Sequence, residues 1–313
     1  MALTELRFFS RTLNLQTTVS VILPEGAQGI GVDGAREETE EFPVLYLLHG
    51  KTDDHSIWQR RTSVERYASD KNLAIVMPET HLGAYTDQKY GYRYMTYVSE
   101  EVPAVCHRMF RISAAREKSF VAGLSMGGYG ALKLGLLCGD RFSKVAAYSS
   151  GCDRYLSLPA WAREVSSITA LRGMEGSVPQ REYDDAMHFF LTFGSPEEYL
   201  QDETNNLFLL CDRVMREKHP LPEIYMSCGM EDAAFEKNLR LHRRMEEAGI
   251  PHTFVQDHGG HAWSYWDRHI QDTLQWVCGG ERLNRFSEKK RAISAKRGRE
   301  SEGLCPSGRG MGD

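Results

Sequence analysis

Three short stretches of this chain carry side chains that together perform nucleophilic chemistry. The first is Gly123-Leu124-Ser125-Met126-Gly127, followed at once by Gly128. A serine hydroxyl is a poor nucleophile near neutral pH and needs a base, which a carboxylate must in turn orient. The second stretch, Asp257-His258-Gly259-Gly260-His261, holds candidate bases, and the third, Cys228-Gly229-Met230-Glu231-Asp232, candidate acids. A glycine-flanked serine is by itself a weak signal, because a plain tight turn reads the same; its surroundings give it meaning.

Those surroundings are a strand and a helix. Phe120-Val121-Ala122-Gly123-Leu124 is an apolar run, and Met126-Gly127-Gly128-Tyr129-Gly130-Ala131-Leu132 opens a helix with little bulk facing back. A serine at such a sharp strand-to-helix turn is forced into a strained backbone conformation, so small neighbours are required. The first amides of the helix then point at any anion formed there. In folds that use this turn the chain order is Ser, acid, His. His261, at the entrance of the last helix, is therefore the expected base, with His258 its competitor. Asp232, following the run Ile224–Ser227, is the expected acid, with Asp257 and Glu231 as alternatives. No cysteine or carboxylate cluster completes a metal site around the two histidines. An oxyanion needs two backbone amides, those of Met126 and of Lys51 in Leu48-His49-Gly50-Lys51; His49 shapes that loop.

Two alternating stretches, Leu3–Phe9 and Thr17–Leu23, predict an antiparallel pair at the start of the chain. From Val44 onward short continuous apolar runs alternate with amphipathic stretches. The runs are Val44–Leu48, Leu73–Met77, Ser119–Leu124, Val145–Tyr148, Ile224–Ser227 and Thr253–Val255. The amphipathic stretches are Ser56–Ser69, Thr96–Phe110, Met126–Cys138, Ala234–Ala248 and Ala262–Val277. This is the pattern of an α/β fold with a mostly parallel, doubly wound sheet. The polar, Gly-rich stretch from Glu25 to Glu41 reads as a surface loop. About seventy residues between Tyr148 and Ile224, too many for a simple crossover, read as a cap insertion at about 150–222, with helical patches at Pro196–Tyr199 and Leu207–Lys218. One domain over residues 1–280 and a basic tail at 281–313, too poor in aliphatic residues to fold, complete the organisation.

The formal charge of −5 creates no field that would draw the chain to nucleic acid or an anionic membrane. The start Met1-Ala2-Leu3-Thr4-Glu5-Leu6 lacks a basic leader, and no apolar stretch is long enough to span a bilayer, so a cytoplasmic protein is expected. Cysteines at 106, 138, 152, 211, 228, 278 and 305 are scattered singly, as buried small hydrophobes are. Of the aromatic residues near the site, about half are expected in the core. The remainder, with Trp58, Tyr92 and Trp263 foremost, are expected to line an ester pocket, with those of the 83–97 segment placed beside Ser125 by the end of the Leu73–Met77 run.

Several of these stretches together resemble the esterase D-like α/β-hydrolases. They are Leu47-Leu48-His49-Gly50, Ser56-Ile57-Trp58, Thr62-Ser63-Val64-Glu65, the elbow Gly123-Leu124-Ser125-Met126-Gly127-Gly128-Tyr129-Gly130-Ala131, and His261-Ala262-Trp263. The likeness is nearest to bacterial tributyrin esterases, whose relatives include feruloyl esterases, S-formylglutathione hydrolases and mycolyltransferases, and it covers roughly residues 1–278. It implies the α/β-hydrolase fold and acyl transfer from a small-molecule ester to water by Ser125, Asp232 and His261, with no cofactor. Short-chain acyl esters are the expected substrates, with hydroxycinnamate esters as a further branch. The 25–41 stretch and the tail depart from the family and inherit no function. The loop Gly50-Lys51-Thr52-Asp53-Asp54 departs from the glutathione-thioester hydrolases, which disfavours that alternative. A non-catalytic binding module on the same fold is the rival of another class.

Overall fold

A computed structural model describes residues 1–25 and 41–279 of the chain. The Gly-rich stretch between Glu25 and Glu41, the tail and Cys305 lie outside the described residues. Eight strands form one sheet: β1 (Ala2–Ser10), β2 (Leu15–Leu23), β3 (Val44–Leu48), β4 (Ala74–Pro78), β5 (Ser119–Leu124), β6 (Lys144–Tyr148), β7 (Glu223–Gly229) and β8 (His252–Asp257). Their order is β1-β2-β4-β3-β5-β6-β7-β8. The β1–β2 and β2–β4 pairs are antiparallel and the other five are parallel. Each expected strand is present at or within a few residues of its expected bounds.

The helices are α1 (Ile57–Arg61), α2 (Val64–Ala68), α3 (Tyr94–Thr96), α4 (Val102–Met109), α5 (Met126–Leu137), α6 (Ile168–Arg172), α7 (Gln180–Phe193), α8 (Pro196–Leu200), α9 (Leu207–Arg216), α10 (Phe235–Ala248) and α11 (Trp263–Val277). Because side chains alternate across a strand, β3 feeds both faces of the sheet. Val44, Tyr46 and Leu48 join Tyr129 and Leu132 of α5 in one apolar cluster, whereas Leu45 and Leu47 join Trp58, Val64 and Ile270 in the other. From β3 the chain moves outward to β4 and then returns to β5 on β3's other side. The crevice between the carboxyl ends of β3 and β5 is thus the switch point at which open α/β sheets bind ligands.

Three helical segments differ from the sequence expectation. The 56–69 helix is two helices, broken where Thr62 turns extended and its hydroxyl accepts from the Val64 amide. The 96–110 segment passes through a π-turn at Tyr97–Glu101. Pro103 has no amide to give to the carbonyl of Ser99, and Arg141 donates to that oxygen instead at 2.9 Å. Between β6 and β7 the longest helix is α7, which leaves little trace in the sequence because its first half, Gln180-Arg181-Glu182-Tyr183-Asp184-Asp185, is almost wholly polar.

That connection is tied to the sheet by α5. Tyr129 donates its hydroxyl to the carbonyl of Asn205 at 2.7 Å. Lys133, fully buried, donates its ammonium to the Asn205 side chain, to Thr86 Oγ1 (2.9 Å) and to the Tyr85 carbonyl (3.3 Å). Burial pushes the Lys133 pKa down to about 7, against the opposing pull of Asp202 and Asp87.

Candidate active site

Ser125 stands between β5 and α5 with φ +52° and ψ −112°, a backbone region that L-residues rarely adopt. It is pinned on both sides: its amide donates to the Tyr148 carbonyl on β6 (2.9 Å), and its own carbonyl accepts from Gly151 (2.9 Å) and Tyr129 (3.0 Å). Glycine is required at 127 because a β-carbon there would sit 2.5 Å from the Leu48 carbonyl oxygen and 2.6 Å from that of His49. The start of α5 therefore lies directly on the end of β3.

The end of β3 is itself braced. Trp58 donates its indole N–H to the Leu48 carbonyl (3.0 Å), and Tyr85 donates to the His49 carbonyl (2.9 Å). The imidazole of His49 is buried; its Nε2 accepts from the Thr80 amide (3.0 Å), so Nδ1–H is free to donate to the Gly50 carbonyl (2.7 Å). Burial lowers its pKa despite nearby Glu79, and the ring holds the turn as a neutral wedge. Among the described residues neither the Lys51 nor the Met126 amide has an acceptor within the chain, so both remain available to an external oxygen.

His261 and Asp232 arrive from the turns that follow β8 and β7. After β7 the chain turns through Met230 and Glu231 to Asp232; after β8 it turns through Gly259 and Gly260 to His261. The two turns cross so closely that a β-carbon on Gly229 would overlap the Gly259 carbonyl. They are clasped by Met230 N–H to Asp257 O (2.9 Å) and by Gly259 N–H to Glu231 Oε2 (2.7 Å). The crossing brings Ser125, His261 and Asp232 into one line. His261 Nε2 is 3.0 Å from Ser125 Oγ, and its Nδ1 is 2.9 Å from Asp232 Oδ2. With Nδ1–H given to the carboxylate, Nε2 carries the lone pair that faces the hydroxyl.

Burial alone would raise the pKa of Asp232. Hydrogen bonds from His261, from the Ala234 amide (2.7 Å) and from Ser149 outweigh it and hold the carboxyl below its ordinary value. Ser149 also accepts the indole N–H of Trp266 at 3.1 Å, and the Trp266 ring meets His261 edge-on with centroids 4.9 Å apart. Ser149 and Trp266 are the residues that sequence reasoning did not single out for this role. The one trace of Ser149 is its place at the carboxyl end of β6, the edge where β5 and β7 deliver Ser125 and Asp232.

The alternatives have other partners. His258 is largely exposed and pairs with Glu231 (2.9 Å). Asp257 pairs with Arg268 (3.0 Å) and stands 3.5 Å from the buried His269. Of the aromatic residues expected at the pocket, Trp58 is a correction: it is 1% exposed and its polar atom is spent on β3, so it is a brace within the core. Tyr85, Tyr94, Tyr265 and Trp266 are also buried. Trp263 is half-buried, edge-on to both Trp58 and Trp266. Tyr92, 48% exposed, lies in the 88–92 turn whose amides at Lys89 and Tyr90 donate to the last turn of α7.

Among the described residues no cluster of three or more His, Cys, Asp or Glu offers a metal site, and no helix is long and apolar enough to cross a membrane. The family model described as putative esterase matches residues 10–277. An acetyl esterase of Caldicellulosiruptor saccharolyticus is 27% identical over 284 residues, covering 88% of this chain and 98% of that protein. S-formylglutathione hydrolase of Bos taurus is 25% identical over 260 residues, covering 74% and 86%. Among solved structures, a fluorophosphonate-binding serine hydrolase of Staphylococcus aureus superposes with a TM-score of 0.73 at 27% identity, covering 89% of this chain and 98% of that one. The chain belongs to the putative esterase family: it is an enzyme of the α/β-hydrolase fold that acts on ester bonds.

Proposed function

We propose that the protein is a serine carboxylesterase that hydrolyses short-chain acyl esters through Ser125, His261 and Asp232. The observation that carries this reading is the unbroken hydrogen-bonded line from Ser125 Oγ through the imidazole to a buried carboxylate. His261 Nε2 takes the hydroxyl proton as Oγ attacks the ester carbonyl. The imidazolium so formed is stabilised by Asp232, which stays ionised because three donors hold it so. The carbonyl oxygen, now an anion, is received by the free amides of Met126 and Lys51. Collapse returns the proton to the leaving alcohol and leaves an acyl group on Ser125. Water, activated by the same imidazole, releases the acid. No metal or cofactor enters these steps.

The size preference takes the connection between β6 and β7, fastened to α5 through Asn205, as a cap set close above Ser125 with no open groove for a long flexible chain. Half-exposed Trp263 and the exposed Tyr90 and Tyr92 of the 83–97 segment offer faces for a flat phenolic acyl group, each worth about 0.5–1.5 kcal/mol. A methylene adds only about 0.8 kcal/mol on burial, so a chain-length limit must come from steric closure.

Fluorophosphonate labelling followed by peptide mass spectrometry is expected to mark Ser125, and Ser125→Ala to lower turnover of 4-nitrophenyl butyrate by about 10⁴- to 10⁶-fold with the fold intact. Wild-type turnover in that variant would end the assignment. Acetyl and butyryl esters should be cleaved faster than esters beyond about eight acyl carbons, the length at which burial no longer outweighs closure. Faster cleavage of the long chains would remove the closed pocket, and no turnover of methyl ferulate would remove the phenolic branch alone.

A further inference from the structure

Arg154 is a cation that borders the turn carrying Ser125 and, among the described residues, forms no ion pair. Arg154 follows β6 by six residues and lays its guanidinium over the rings of Tyr129 (5.8 Å) and Phe193 (5.6 Å). Among the described residues its side chain has no carboxylate partner, and its Nε is buried without an acceptor. Its Nη1 and the carbonyl oxygen of Ser125 each lie 3.4 Å from the point where a Gly151 β-carbon would be, so the guanidinium borders the elbow itself.

The carboxylates around it are engaged elsewhere. Asp153 pairs with Arg240 at 2.6 Å and caps the Leu156 amide. Asp202 accepts from the Thr204 and Asn205 amides. Asp185 of α7 is taken by the side chain of Lys51, the residue whose amide faces the oxyanion. One turn along α7, His188 has its Nε2 buried with no partner. Its pKa is lowered to about 4, first by burial and then by the positive charges of Arg154 and Lys51, so the ring is neutral there. Lys51 and Asp185 pair with each other and His188 carries no charge, so Arg154 is the cation this stretch of wall leaves unpaired. A half-buried guanidinium whose Nε is sealed from water without an acceptor is costly to maintain, and a ligand carboxylate supplies the bidentate partner that the chain does not.

We propose that Arg154 recognises a carboxylate on the substrate, making anionic esters the preferred class. This rests on the serine esterase reading given above. The carboxylate belongs either to the acyl group or to the leaving alcohol.

Two isosteric pairs separate those sources. The 4-nitrophenyl esters of adipic acid and of adipamic acid differ only in the charge of the acyl end; 4-acetoxybenzoate and 4-acetoxybenzamide differ only in the charge of the leaving group. The wild-type enzyme is expected to favour the anionic member of at least one pair in kcat/KM. That ratio should fall by about 10- to 100-fold in Arg154→Gln, the range for a charge-assisted hydrogen bond, and recover in part in Arg154→Lys, which restores the charge without the fork. A ratio below one in both pairs, or a ratio that Arg154→Gln does not change, overturns the proposal. Binding of monomethyl adipate to Ser125→Ala, measured by calorimetry, reads the same contact without turnover. It should weaken at least tenfold when Arg154→Gln is added and by less when Arg154→Lys is, and binding indifferent to both changes is equally fatal. Loss of turnover on every ester with this binding intact would instead count against the esterase reading alone.

Discussion

Two aspartates approach the histidine loop, and their surroundings divide the work between them. Asp232 is buried and accepts from His261, the Ala234 amide and Ser149, while Asp257 is held by Arg268 beside His269. Asp232→Asn keeps the shape but offers an amide where Nδ1–H needs an acceptor, and the imidazole is then turned or protonated wrongly for its task. Turnover is expected to fall by about 10⁴-fold, the cost of a wrong tautomer. Asp257→Asn should cost far less in turnover and show mainly as a lower melting temperature. Steady-state kinetics and thermal melts on the two variants check this, and the reverse order would move the acid to Asp257.

At the scale of elements, the site depends on how closely α5 is seated on β3. A methyl group at 127 would meet two backbone oxygens, which cannot swing aside as a side chain can. Gly127→Ala is expected to destabilise the fold by about 1–3 kcal/mol through overpacking and to separate Met126 from Lys51, so that turnover falls more steeply than stability. A melting temperature and turnover both at the wild-type level would show that the elbow has slack. The parallel strands were legible because each is a continuous apolar run buried on both faces, and the elbow because its glycines are local to Ser125. Other parts were not. The Trp266 to Ser149 contact joins residues 117 apart, and Arg154 matters only because its neighbours' charges are spent elsewhere. Trp58 reads in sequence like a pocket wall; only the register of α1 against β3 turns its indole inward.

On the scale of the whole molecule, the connection between β6 and β7 is fastened to the elbow helix by the buried ammonium of Lys133. Its pKa is about 7 when folded and near 10.4 when unfolded, so between those values the unfolded chain holds a proton that the folded one has released. Stability therefore gains from this group as pH rises through that window and bears its full penalty below about pH 7. Lys133→Met should flatten this contribution in denaturant melts taken from pH 7 to 10. An unchanged slope would mean that the lysine is charged in the native state throughout. The strand order carries a consequence of a different kind. Ser125 and His261 touch across 136 residues, and β5 finds its place only after the chain has gone out to β4 and back. Local helices form quickly, whereas contacts so distant in sequence are slow to close. Catalytic competence is thus the last property to return when the denatured protein is diluted into buffer: helical circular dichroism should recover first and ester cleavage after it. A chain that still lacks His261 while it is being made is correspondingly expected to be inert towards esters.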